Sequence, residues 1–198
     1  MGRAADKPLR IVVVEKDVDR ARQFIDALSA AGEYEITVIG EETGLERRIG
    51  QIAPDVVLIN IEDPNRDRLE ELTLAAGPKD RAVAMFVDRS DDALTTAAIE
   101  AGISAYVVDG LGKDRIKPVL DAAVARFRMV SRMRRELDAA KQALAERKVI
   151  DRAKGLIMAA RGVGEEEAYA LLRRTAMDQG RKISEVAQAL VTSADLLK

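Results

Sequence analysis

The sequence predicts an α/β domain, a doubly wound sheet of five parallel strands, followed by an all-α C-terminal part. Three observations carry this. Five short runs rich in β-branched residues, RIVVVE (10–15), YEITVI (34–39), DVVLIN (55–60), RAVAMFV (81–87) and SAYVVD (104–109), alternate with segments of helical period. Four of these runs are nearly continuous in apolar character, the pattern of strands covered on both faces. From Lys113 onward the strand signal stops and only helical periodicity remains.

Taken in order, the first run ends in Glu15-Lys16-Asp17 and feeds a helix over 18–31, stopped at Gly32. The second run leads to a helix over 43–53, and the third ends in a loop, Asn60 to Pro64, before a helix over 66–76. After the fourth run, Val87 to Ser90 form a loop in which Ser90 is placed to cap a helix over 91–101. Asp91 and Asp92 give that helix an acidic first turn, which suits its dipole, and Gly102 ends it. The fifth run opens into Asp109–Gly112. Repeated strand–helix alternation implies a flavodoxin-like sheet, with functional loops at the C-terminal strand ends.

No strand signal, and no proline after Pro118, interrupts the chain from Lys113 to about Ala160. A helix of that extent would be roughly 70 Å long. Val130, Met133, Leu137, Ala140 and Leu144 recur along it at gaps of 3, 4, 3 and 4, a short seam that favours a coiled-coil homodimer. Gly162 and Gly164 break the helix. An acidic turn then starts a helix to about Met177, which Gly180 closes. A last amphipathic helix places Ile183, Val186, Leu190 and Leu197 on or near one face. The last two helices and the end of the long one form a three-helix module, with Val149, Ile150, Leu156, Ala168, Leu171 and Leu172 assigned to its core.

Composition narrows the function. The chain has 198 residues, enough for one large domain or one domain and a smaller appendage, and it has neither Cys nor His. Disulfides, thiolate nucleophiles, imidazole bases and the usual zinc ligands are thereby excluded. No metal, cofactor or catalytic residue is expected. No apolar run is long enough to span a bilayer and no signal peptide is evident, so a cytoplasmic protein without membrane contact is expected. Residues 1–125 carry 16 basic and 24 acidic side chains, net −8; residues 126–198 carry 16 and 10, net +6. Residues 126–154 alone hold 10 basic and 4 acidic residues, which fits either a polyanion contact or a solvated helix.

Within that segment Arg147, Lys154 and Arg161 recur at intervals of seven and share a helix face, with Gly155 and Met158 close by. Glycine inside a helix costs about 1 kcal/mol relative to alanine, so Gly155 implies close approach by another group. Two readings stay open: tight packing inside the module, or contact with a nucleic acid whose unstacked bases meet Met and Arg surfaces. Tyr169 fits either. Aromatic residues, at 3%, are too scarce for a stacking platform.

Over residues 10–125 the pattern resembles the receiver domain of bacterial response regulators. The resemblance implies a phosphorylation site: an acidic pair for Mg²⁺ after the first strand, an acceptor aspartate after the third, a hydroxyl after the fourth and a lysine after the fifth. This sequence has Glu15 and Lys16 at the pair, with Asp17 next along, then Asn60, Val87 and Asp109 at the other three positions. The site is degenerate, and rescue by Glu62 or Asp63 would still lack the hydroxyl and the lysine. A pseudo-receiver is implied.

The segment ERKVIDRAKGLIMAARGVGEEEAYALLRRTAMDQGRKISEVAQAL resembles an ANTAR domain, the RNA-binding module of AmiR- and NasT-type transcription antiterminators. The match rests on Arg147, Ile150, Ala153-Lys154-Gly155, Met158, Gly162, Glu167-Ala168-Tyr169, Leu172-Arg173, Ala176-Met177 and Val186-Ala187. AYVVDGL and ARF further resemble the NasT branch, the nitrate/nitrite regulators. The resemblance implies RNA contacts from Arg147, Lys148, Arg152, Lys154, Gly155, Met158, Arg161, Arg173 and Met177. It implies a dimer that binds paired stem-loops in a leader mRNA and prevents the terminator hairpin, so that RNA polymerase reads on. A NasS-like sensor protein, in place of phosphate, would control it. The expected organisation is a pseudo-receiver over 1–120, a coiled-coil helix over 121–146 and an RNA-binding module over 147–198. A DNA-binding response regulator with a degenerate receiver is the alternative, and a phosphorelay protein with an unusual acceptor is a third.

Overall fold

The computed structural model describes residues 7–108 and 115–196. Asp109, Lys113, the loop Asp109–Gly112 and Leu197, all invoked above, lie outside the described residues. The chain divides into two compact units, Met1–Arg132 and Met133–Lys198.

The first unit alternates β1 (Leu9–Val14), α1 (Val18–Ala31), β2 (Tyr34–Ile39), α2 (Leu45–Ile52), β3 (Val56–Ile61), α3 (Arg66–Ala76), β4 (Ala82–Val87), α4 (Asp92–Glu100) and β5 (Ala105–Val108), and then enters the helix α5 (Ile116–Arg161). All strand pairs are parallel, in the order β2-β1-β3-β4-β5. This is the doubly wound, flavodoxin-like sheet that the alternation predicts. Side chains leave a strand on alternate faces, so the near-continuous apolar runs supply two cores. Val12, Val57, Ile59, Val83 and Met85 pack under α2, α3 and α4 with Leu45, Ile49, Leu69 and Leu72. Ile11, Val13, Leu58 and Phe86 pack on the other face with Phe24 and Leu28 of α1 and Ile116, Leu120 and Ala123 of α5. Phe24 and Phe86 meet edge to face, their ring centroids 5.4 Å apart.

Two local expectations are corrected. Asn60 lies inside β3, paired with Phe86, and not in the loop beyond it. The cap of α4 is Asp91, whose carboxylate accepts from the Leu94 amide at 2.7 Å. Ser90 bonds instead to the hydroxyls of Thr95, at 3.1 Å, and Tyr106, at 3.0 Å. A carboxylate in reach of the exposed amides outcompetes a serine that has two hydroxyl partners nearby.

The second unit holds the C-terminal part of α5 with α6 (Glu165–Asp178) and α7 (Ile183–Leu196). Gly162 and Gly180 both take positive φ, 67° and 60°, which lets the chain turn between helices where a Cβ would clash with its own carbonyl. The core is Ala153, Leu172, Ala176, Val186, Ala187 and Val191, flanked by Val149, Ile150, Leu156 and Leu190. Ala168 is buried and Leu171 half-buried, as assigned from the sequence. Small residues dominate because three short helices must approach closely to close so small a core.

Candidate nucleic-acid interface and the degenerate receiver site

The register places Val14 of β1 beside Ile59 of β3, so the next step brings Glu15 beside Asn60 at the switch point of the sheet. The Asn60 amide donates to Glu15 Oε2 at 2.6 Å, and the Asp17 backbone N–H donates to Oε1 at 2.8 Å. Glu15 is buried, and Asn60 Oδ1 is buried without a hydrogen-bond partner among the described residues. Around them is a cleft of about 360 Å³ lined by Lys16, Asp17, Glu42, Glu62, Asp63 and Arg68.

Each carboxylate of the cleft is engaged. Lys16 Nζ lies 3.3 Å from Glu42 Oε1, which also accepts from Arg68 Nη2 at 2.7 Å. Arg20 pairs with Glu62 at 2.5 Å, and Arg89 pairs with Asp63. The hydrogen bond from Arg89, and then its charge, hold the Asp63 carboxyl below the usual carboxylate range, and the same bond raises Arg89. Asp17 caps α1 by accepting from the Arg20 amide at 2.9 Å. Val87 is fully buried at the end of β4 and offers no hydroxyl. Among the described residues no group of three or more carboxylates is arranged to hold a metal ion. Cations of the protein itself occupy the region where a divalent ion would have to sit, so the residues present do not fit one. Glu42 and Arg68 were not foreseen. They are 26 residues apart and carry no local pattern; only the folded sheet brings them together.

In the second unit the predicted contacts separate into two groups. Arg152 Nη2 lies 2.6 Å from Asp195 Oδ1 and ties α5 to α7. Lys154 Nζ lies 2.7 Å from Asp151 and 2.5 Å from Glu165, with its side chain only 14% exposed. The hydrogen bond to Asp151, then that to Glu165, raise the Lys154 ammonium above its ordinary value, while Asp151 is lowered chiefly by the same bond. These two cations hold helices together. Asp195 and Glu165 had no sequence signal as their partners.

The remaining residues face outward. Arg147 is exposed, with Asp151 no nearer than 3.9 Å. Lys148, Arg161 and Arg173 are exposed and make no ion pair with a described residue. Gly155 is exposed, and a Cβ built on it would meet nothing within 4 Å. Packing inside the module therefore does not account for this glycine. Met158 and Met177 are exposed, and so is Tyr169, which Arg173 and Met177 follow at four-residue steps along α6. On α5, Val130, Met133, Leu137 and Leu144 are between 42% and 59% exposed, and Ala140 is exposed with them.

A five-stranded parallel sheet of receiver topology, with Asn60 at the position of the acceptor aspartate, is followed in this chain by a small helical module. The first unit is similar to a CheY-like response regulator receiver domain protein from Methanospirillum hungatei, with TM-score 0.53 and 17% identity over 62% of this chain and 98% of that one. The family model of the ANTAR domain matches residues 138–191, which take in most of the module. Over most of its length the chain is similar to the transcriptional regulatory protein PdtaR of Mycobacterium tuberculosis, 27% identical over 93% of this chain and 90% of that protein. A shorter stretch, 57 residues or 29% of this chain, is 44% identical to a nitrate regulatory protein of Klebsiella oxytoca, of which it covers 14%. An aliphatic amidase regulator of Pseudomonas aeruginosa is 28% identical over 69% of this chain and 70% of that protein. No described helix is long and apolar enough to cross a membrane.

Proposed function

We propose that this chain is an RNA-binding transcription antitermination regulator that acts as a dimer and without catalysis. The observation that carries the reading is the ANTAR match over residues 138–191, which contains the outward face of Arg147, Lys148, Gly155 and Met158. Exposed cations hold phosphates. A glycine with open space above it lets a backbone or base approach the helix, and a thioether packs on an unstacked loop base. Two such modules on one coiled coil would bind paired stem-loops of a leader transcript, and the second contact gains from effective concentration. Holding that RNA fold prevents the terminator hairpin, and polymerase continues.

Control belongs to a protein partner and not to phosphate, because the cleft of the first unit has its carboxylates engaged with its own cations and an amide at the acceptor position. A nitrate/nitrite sensor resembling a solute-binding protein is the partner proposed, supported by the 44% identity to a nitrate regulatory protein. The divided organisation, pseudo-receiver 1–120, coiled coil 121–146 and RNA-binding module 147–198, follows from this reading.

The test is equilibrium binding to a two-stem-loop leader RNA across a salt series, with matched duplex DNA alongside. RNA is expected to win. Lys148→Ala is expected to weaken binding and to lower the salt slope by roughly 0.7, the value for one phosphate on a single strand. Lys117→Ala, in the first unit and paired with Asp121 at 2.8 Å, is expected to change nothing. Duplex DNA bound more tightly than RNA would turn the protein into a DNA-binding regulator.

A further inference from the structure

Between the end of α5, α6 and α7 the second unit holds a cleft of about 430 Å³. Its walls are Leu156, Ile157, Leu171, Leu172, Val186 and Leu190, with Ala160 and Ala194 beside them. Leu172 and Val186 belong to the core. Leu156, Ile157, Leu171 and Leu190 are only half-buried, so aliphatic surface stays open to water after folding. Two lining residues are polar. Thr175 commits its hydroxyl to the Leu171 carbonyl, 3.0 Å away. Arg161, the last residue of α5, is exposed and makes no ion pair with a described residue. Among the described residues no carboxylate lines the cleft.

We propose that this cleft binds a medium-chain carboxylic acid, with its hydrocarbon chain against the leucines and its carboxylate on Arg161. The volume lies in the range of small-molecule pockets, about 300–1,000 Å³, which are apolar with a few polar groups that fix orientation. Here the fixing group is one guanidinium, so charge complementarity calls for one anionic group on an otherwise apolar molecule. A planar carboxylate matches the guanidinium fork with two hydrogen bonds. A phosphate monoester brings more charge and three acceptor oxygens, which a single arginine leaves partly unsatisfied. The lining of α7 runs from Val186 to Ala194, about 12 Å of helix. An extended chain advances about 1.2 Å per bond, so roughly ten carbons fill that length. The site stands whether or not the module binds RNA.

The test is calorimetric titration of the full chain with decanoate, beside decanol and decyltrimethylammonium, which keep the chain and change the head. Each is kept below its solubility or micelle limit. Decanoate is expected to bind once per chain, decanol about tenfold more weakly, and the ammonium not at all. Arg161→Gln should lower decanoate affinity to that of decanol and leave decanol unchanged. Ala194→Phe fills the cleft and should abolish binding of both, with circular dichroism to show that the helices persist. Ala160→Phe fills it from α5 and serves if the first variant unfolds. Saturating decanoate should raise the melting temperature of the parent and not of the filled variant. Equal affinity for decanoate and decanol, or decanoate binding that survives in a folded, filled variant, would overturn the proposal. So would a failure of decanoate to bind; if filling the cleft then abolishes self-association in sedimentation, its occupant is a second copy.

Discussion

Asn60 is the residue on which the first unit turns. Its amide supplies the hydrogen bond that satisfies Glu15 Oε2, in a place where a working receiver would set two carboxylates around a metal ion. Asn60→Asp therefore does not rebuild a phosphorylation site. It sets two carboxylates side by side with no ion between them, while Lys16 and Arg68 are committed to Glu42. Losing a buried donor costs about 1–3 kcal/mol, and the new like charge adds to that. The expected result is a loss of stability in urea at neutral pH that exceeds the loss from Asn60→Ala. One proton shared by the two carboxylates of the variant would recreate a donor, so the deficit of Asn60→Asp shrinks as pH falls from neutral and grows as it rises. A variant as stable as the parent across that range would show that the Glu15–Asn60 bond contributes nothing.

At the scale of the element, α5 shows what a sequence discloses and what it conceals. Its extent, its exposed apolar stripe and its module core were readable because each rests on a local period, and helical geometry converts a period into a face. The strands were readable for the same reason, within a residue or two at their ends. The ion pairs were not. Lys154 has the chemistry of a phosphate ligand and the spacing of one, yet Glu165, eleven residues on and beyond the turn at Gly162, captures it. Arg152 meets Asp195 across 43 residues. Such partners depend on how helices cross, which no local pattern encodes. Gly155 was legible as an anomaly but not as a contact, and the structure narrows it. Since a Cβ there meets nothing, Gly155→Ala should stabilise the helix, by about 0.5–1 kcal/mol. If the open space receives RNA, the same methyl group weakens RNA binding. Denaturation and RNA affinity measured on this one variant are expected to move in opposite directions, and a variant that gains stability with RNA affinity unchanged would remove Gly155 from the interface.

At the scale of the whole molecule, the two units differ in what sustains them. The first has two sheet-face cores with Phe24, Phe86, Ile11, Ile59, Leu58 and Met85 fully buried. Among the described residues the second closes on seven buried ones, of which Leu172 is the largest, and it owns the exposed apolar positions Met133, Leu137 and Leu144. A core that small is marginal alone, so its stability should depend on what covers the seam and what binds the basic face. Calorimetry is expected to give two transitions, not one, with the second unit melting first. If α5 pairs with a second copy as proposed, dilution should lower only the first transition, because dissociation exposes that helix. RNA at about a hundredfold excess over its dissociation constant should raise that same transition, by about 2.7 kcal/mol of stability, and leave the upper one in place. A partner protein that acts on the first unit should do the reverse. One cooperative transition that RNA shifts as a whole would mean that the continuous α5 couples the two cores energetically. Signal and RNA would then share a single folding unit, and binding at one would be felt at the other through stability alone.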